Sequence, residues 1–263
     1  MSLIYLYAFV SGITLGSFYN VAGLRIPQKK SILSPRSHCP HCLYVLSPQQ
    51  LIPIVSYIKN AGKCSMCQKK ISFIYPFIEF STGSLFVYAF FRLNMTLELI
   101  VILTFVSFLT IIVVSDIAYM IVPNKVLLFF LPIFLLERLF IPLNSWSDSL
   151  MGGGIAFFLL FLIAFLSRGG LGEGDIKLYA LIGIVLGVKL VLLSLFLAIL
   201  IGGTVSIGAL LMKKAKVGVP IPFVPFIFIG TIAAYFHGNE LIDWYVSNYF
   251  LLSFKSSTNL KFL

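Results

Sequence analysis

The chain has 263 residues, of which 59% are hydrophobic and only 11% charged, with a net charge of +10 and a mean hydropathy of +1.03. An ordinary soluble domain carries about 25% charged residues, so this composition excludes a soluble globular protein and a disordered chain alike. The length accommodates roughly eight membrane spans of about 20 residues and one modest polar domain.

The first span is the segment 1–24, apolar from residue 3 and free of cations before Arg25. A cleaved secretory signal would start with positive charge, so the segment reads as a retained span with its N-terminus outside. Residues 25–72 form the only long polar stretch and carry eight Lys or Arg but no Asp or Glu. Its prolines, Pro27, Pro35, Pro40, Pro48 and Pro53, argue against long helices. It is expected to be a basic cytoplasmic loop.

Residues 73–237 are expected to form a helical membrane domain, with spans near 74–91, 98–115, 121–140, 149–166, 176–188, 190–212 and 223–237. Residues 238–263 read as an interfacial tail opening with a short helix, because Trp244, Tyr245 and Tyr249 suit a membrane–water boundary. With the N-terminus outside, the inner segments hold fourteen Lys or Arg and the outer ones five. That bias favours this orientation. It depends on 176–212 being two spans, since one bent span would reverse everything downstream. The expected fold is an all-α polytopic membrane protein of about eight transmembrane helices, with a small cytoplasmic zinc-binding loop domain. No arginine-rich or aromatic-interleaved patch suggests nucleic acid, so the bilayer is the expected surroundings.

All four cysteines lie in the polar loop, as Cys39-Pro40-His41-Cys42 and Cys64-Ser65-Met66-Cys67. Two CxxC pairs can place four thiolates around one Zn²⁺. The reducing cytosol disfavours two disulfides, and a thioredoxin-like redox pair needs a βαβ context that is absent. A four-cysteine site leaves no open metal position, so its expected role is to hold a loop too small to build its own core. His38 and His41 read as exposed loop residues.

The nine acids sort by depth. Glu98, Glu137, Asp148, Glu240 and Asp243 fall near outer ends, Asp116, Glu173 and Asp175 at the inner face, and Glu79 within the second span. Asp116 stands in Val114-Ser115-Asp116-Ile117, with Pro123-Asn124 downstream. Asp175 follows Gly169-Gly170-Leu171-Gly172-Glu173-Gly174, where glycines permit close backbone approach. Either acid alone reads equally well as a helix cap. Together, at one depth, they form a candidate catalytic pair. Two facing carboxyls in a partly dry site hold one proton between them and act as base and acid. That chemistry activates water on a peptide carbonyl and protonates the departing amine.

These residues carry a resemblance. Gly16-Ser17-Phe18-Tyr19-Asn20-Val21 with Arg25-Ile26-Pro27, the two CxxC pairs, Tyr75-Pro76-Phe77-Ile78-Glu79 with Thr82-Gly83, Asp116 with Ile121-Val122-Pro123-Asn124, Gly172-Glu173-Gly174-Asp175-Ile176-Lys177-Leu178 and Pro222-Phe223-Val224-Pro225-Phe226 resemble the motifs of the type IV prepilin peptidases. The glycine–aspartate motif is the GxGD pattern of intramembrane aspartic proteases. Val224 stands where the family more often has Gly, and Asn124 where Asp is commoner.

The resemblance implies a bacterial cytoplasmic-membrane enzyme with its active site facing the cytoplasm. Asp116 and Asp175 would be catalytic, with Gly172, Glu173, Gly174 and Lys177 in the active-site loop. It implies cleavage of the basic leader of prepilins or pseudopilins, and in many members N-methylation of the new N-terminus from S-adenosylmethionine. Glu173 and Glu79 are candidates for meeting a cationic leader or the methyl donor; loop solvation and a helix–helix hydrogen bond are their alternatives. Two other readings compete: a membrane N-methyltransferase without protease activity, using Glu79 and the zinc loop, and a small proton-coupled transporter using Asp116 and Asp175 as a relay.

Overall fold

The computed structural model describes residues 2–143, 145–167, 172–213 and 221–250. Gly169, Gly170 and Leu171 of the glycine-rich loop, and the tail past residue 250, lie outside the described residues. Eight α-helices follow in chain order: α1 Ser2–Arg25, α2 Val55–Lys59, α3 Ile74–Leu93, α4 Glu98–Tyr119, α5 Asn124–Phe140, α6 Trp146–Leu166, α7 Glu173–Leu211 and α8 Val224–Tyr245. A short 3-10 turn, Pro48–Leu51, precedes α2. Among the described residues, five helices, α1, α3, α4, α6 and α7, are long and apolar enough to cross a membrane by length and composition.

The 39 residues of α7 would reach ~58 Å as a straight helix, about twice the hydrocarbon thickness of a bilayer. The helix instead breaks at Gly187, whose φ of 75° and ψ of 177° are open to glycine alone. Beyond the break the chain runs back: Gly202 packs on Phe223 and Phe226, while Phe223 lines the same cavity as Asp175 at the start of α7. So α7 is a helical hairpin, and its two halves correspond to the segments expected near 176–188 and 190–212.

Buried polar groups brace the bend. The fully buried Arg138 of α5 donates from Nε and Nη2 to the Val185 carbonyl and pairs bidentately with Glu98 of α4 at 2.8 and 2.9 Å. Asp148 of α6 accepts from the Val188 N–H at 3.2 Å. One side chain therefore satisfies a carbonyl left at the end of the first half, and another satisfies an N–H at the start of the second.

α1 and α4 run parallel, since Tyr19 meets Ser107 and Gly23 packs on Ile111 and Val114. Beyond their ends, Gln28 donates to Tyr119. The polar loop and the C-terminal end of α4 therefore share one end of the bundle. At the other end lie the Arg138–Glu98 pair, the α7 bend and the Arg92–Glu240 ion pair at 2.8 Å. α8 continues unbroken to Tyr245, because nothing in its sequence interrupts the helix. The residues expected to start a separate interfacial helix at 238 are instead its last turns, followed by a π turn at Val246–Phe250.

Candidate active site and metal centre

α4 ends two residues short of an extended stretch. Met120 adopts the left-handed conformation (φ 54°, ψ 40°) and its N–H closes on the Asp116 carbonyl. Asp116 thus sits in the last turn of α4, 6% exposed. Its Oδ2 accepts from the Val224 N–H at 3.0 Å, in the first turn of α8. Asp175 is the third residue of α7, after Gly172 at the N-cap. Each carboxyl therefore lies at a helix N-terminus, Asp116 at that of α8 and Asp175 at that of α7. Asp116 caps a helix, but that of a distant segment rather than its own. Asp175 is not the N-cap.

The two acids line one cavity of about 410 Å³ and lie within electrostatic reach of each other. Its walls include Gly172, Glu173, Gly174 and Lys177 from α7, Met120, Ile121, Val122 and Asn124 from the α4–α5 connection, and Ile221, Pro222 and Phe223 ahead of α8. All six residues proposed from sequence for this region thus come together. Glu173 extends into solvent and pairs with Lys177 at 3.9 Å. Gly174 is needed for closure, because a Cβ there would stand 2.8 Å from the Val122 Cβ.

The four cysteines gather in the loop between α1 and α3, their sulfurs all within 4.8 Å of one another. They can hold a metal ion. The Cys39–Cys67 and Cys42–Cys64 sulfur separations are both 3.8 Å, and a tetrahedron of Zn–S bonds near 2.3 Å has edges of about 3.8 Å. The two halves of the site are built alike. Cys39 N–H donates to Tyr44 and Leu43 N–H to Cys39; Cys64 N–H donates to Lys69 and Gln68 N–H to Cys64. Leu43 and Gln68, each just after the second cysteine of its pair, take positive φ of 57° and 56°. Backbone N–H groups of Cys42 and His41 aim at the Cys39 sulfur and push its thiol down to about 6. Those of Cys67 and Met66 lower Cys64 in the same way. Thiolates, the form that binds metal, are thus favoured at two of the four positions. His38 turns away, its Nδ1 3.0 Å from the Arg36 carbonyl.

A family model for the bacterial peptidase A24 N-terminal domain matches residues 10–93, and one for the type IV leader peptidase family matches residues 103–207. The prepilin leader peptidase/N-methyltransferase of Bacillus subtilis (strain 168) is 44% identical over 238 residues, 90% of this chain and 96% of that protein. The chain belongs to the type IV leader peptidase family. Proteins of the same name from Stutzerimonas stutzeri and Myxococcus xanthus are 28% and 32% identical, covering 92% and 78% of this chain and 93% and 63% of their own. No solved structure matches the chain. The cysteines and Glu79 fall within the first matched region, Asp116 and Asp175 within the second.

Glu79 of this family member stands apart from the cavity. It is 8% exposed on α3, and its Oε2 accepts from the Ile54 N–H at 2.8 Å. Ile54 has φ 60° and ψ −51°, the strained hand of a γ-turn closed by Val55 N–H on the Pro53 carbonyl. The Glu79 carboxyl therefore ties the metal loop to the helices through a backbone position that an isoleucine adopts only under constraint.

Sequence reasoning passed over two things. The cavity's apolar walls at 120–122 and 221–223 overlap two of the motifs but are not assigned to the site from sequence; the available signal is a proline at each helix start, Pro123 ahead of α5 and Pro225 in the first turn of α8. The Arg138–Glu98 pair was also missed, although an arginine inside an apolar run calls for a buried partner.

Proposed function

We propose that this membrane protein cleaves the leader of type IV prepilins or pseudopilins, with Asp116 and Asp175 as the catalytic pair. The observation that carries this is their convergence, from the ends of α4 and α7, on one cavity at the same end of the bundle as the polar loop. One carboxylate takes a proton from water, whose oxygen attacks the scissile carbonyl carbon. The other, protonated, gives its proton to the departing amine as the C–N bond breaks. The names of the relatives support N-methylation of the freed amine as a second step, with S-adenosylmethionine supplying the methyl group.

The excess of Lys and Arg on the segments assigned inside, fourteen against five, supports an orientation with this end at the anionic cytoplasmic leaflet of the bacterial inner membrane. The cysteine site holds Zn²⁺ in a structural role: the sulfur spacing fits it and no ligand position is left open. A proton-coupled transporter is disfavoured, since its acids belong near the midplane of paired repeats and these occupy helix-end turns.

Membranes carrying the protein, incubated with a candidate prepilin with and without S-adenosylmethionine, test the reading by product mass. A product lighter by the leader is expected in both, and heavier by one methyl group only with the donor. An uncut prepilin in both arms would reject the peptidase assignment.

A further inference from the structure

Two short non-helical segments wall the cavity, 121–123 ahead of α5 and 221–223 ahead of α8. In the first, the Ile121 carbonyl accepts from the Ser115 hydroxyl, and the Pro123 carbonyl accepts from Val126 and Leu127. The N–H and C=O of Val122 between them take no partner among the described residues. Pro123 restricts Val122 to extended backbone. In an extended chain the N–H and C=O of one residue point to the same side, and those of its neighbour to the other. Ser115 draws the Ile121 carbonyl toward α4, so the Val122 pair faces away from α4. The Val122 side chain packs on Gly174, next to Asp175.

The second wall is arranged differently. Pro222 has no N–H, the Phe223 carbonyl closes the first turn of α8, and Asp116 takes the Val224 N–H. Among the described residues, only Ile221 in this wall keeps both a donor and an acceptor, on the far side of Pro222. A matched donor and acceptor left open on an extended residue form a strand edge, which pairs with another extended chain.

We infer that Val122 is the strand-pairing edge of this site: the substrate binds extended, its backbone accepting from the Val122 N–H and donating to the Val122 carbonyl. The inference rests on the peptidase reading. It makes recognition at this point a matter of backbone, indifferent to the substrate side chain. It also requires a helical substrate to unwind where it is cut, since a helix has already spent its own N–H and C=O groups.

The test is an ester scan of a synthetic substrate, replacing one backbone amide at a time on either side of the scissile bond, with the full-length protein in detergent. One position should lower kcat/KM by about three- to tenfold, the effect of one hydrogen bond, with its neighbours close to the all-amide value. Val122→Pro, which removes the N–H, should lose about tenfold. A flat scan with normal cleavage of the all-amide substrate overturns the edge and leaves the peptidase reading standing. Failure to cleave the all-amide substrate overturns the peptidase reading itself. The scan needs only the unaltered protein, so it decides the matter even if Val122→Pro does not fold.

Discussion

The metal loop and the aspartate cavity sit at the same end of the molecule and are held together by opposite means. No residue between 27 and 73 belongs to the buried apolar core, which is drawn from the long helices. In the loop the well-buried side chains are Cys39 and Cys64 themselves, so the ligands are also the core. The cavity contains no such local knot. Its two acids are placed by α4, the α7 hairpin and α8, and these are ordered by packing that extends to the far end of the bundle. A cluster of ligands can thus organise a segment by itself, whereas a catalytic pair borrows its geometry from everything around it.

The strongest way to break this comparison is to neutralise one acid. Asp116→Asn and Asp175→Asn should each reduce leader cleavage by at least about 10³-fold, the scale of general acid–base catalysis, with insertion and metal content unchanged. Cleavage of a purified prepilin in detergent, read beside metal analysis, checks this. Full cleavage by either variant would sink the catalytic pair; loss of metal as well would show that the two regions are not independent.

Next is the removal of one sulfur. Cys39→Ser or Cys64→Ser should lower zinc content and protein yield, and should open 25–72 to limited proteolysis. Molecules that survive should cut prepilin far better than either Asp→Asn variant. Protein prepared without chelator that contains no zinc would remove the metal from the account.

The bundle can be probed away from both regions. A Cβ on Gly183 would stand 2.3 Å from the Gly152 carbonyl oxygen, and backbone cannot yield there as a flexible side chain would. Gly183→Ala should force α6 and α7 apart and cost about 1–3 kcal/mol, seen as a lower Tm in detergent with reduced activity and normal zinc. Gly154→Ala, with nothing within 4 Å, should leave Tm unchanged. Equal Tm for both variants would mean that the α6–α7 crossing is looser than this contact.

How much of this was legible beforehand follows from the same contrast. The cysteine cluster was readable because its members come from two short repeats of spacing, and spacing is local. The two aspartates were readable as candidates from their glycine and proline surroundings, and their common depth followed from counting spans. Their separate contacts were not. That Asp116 takes the Val224 N–H, or that Glu98 reaches Arg138 and Tyr235, depends on which helices become neighbours. The pattern of apolar residues says little about that, because in a membrane nearly every helix face is apolar. The break in α7 was legible to within two residues, from the division at Lys189, but not as a property of Gly187, which is one of several glycines in that run.

Glu79 offers the finest cut. Its geometry supports a strut between α3 and the metal loop, while its place in the motif resemblance makes it a candidate for the methyl donor. Glu79→Gln keeps the shape and an acceptor oxygen but removes the charge, so the bond from Ile54 N–H should weaken by about 1 kcal/mol. A strut loosened by that amount would speed amide exchange at Ile54 and its neighbours, about fivefold by the same energy, with zinc content and leader cleavage near normal. A donor contact would behave otherwise: exchange at Ile54 would stay as it was, and methylation of the cleaved product would fall while cleavage continued. The substitution is small enough that neither outcome can be blamed on unfolding, so exchange and methylation, read on one preparation, separate support of the loop from contact with the donor.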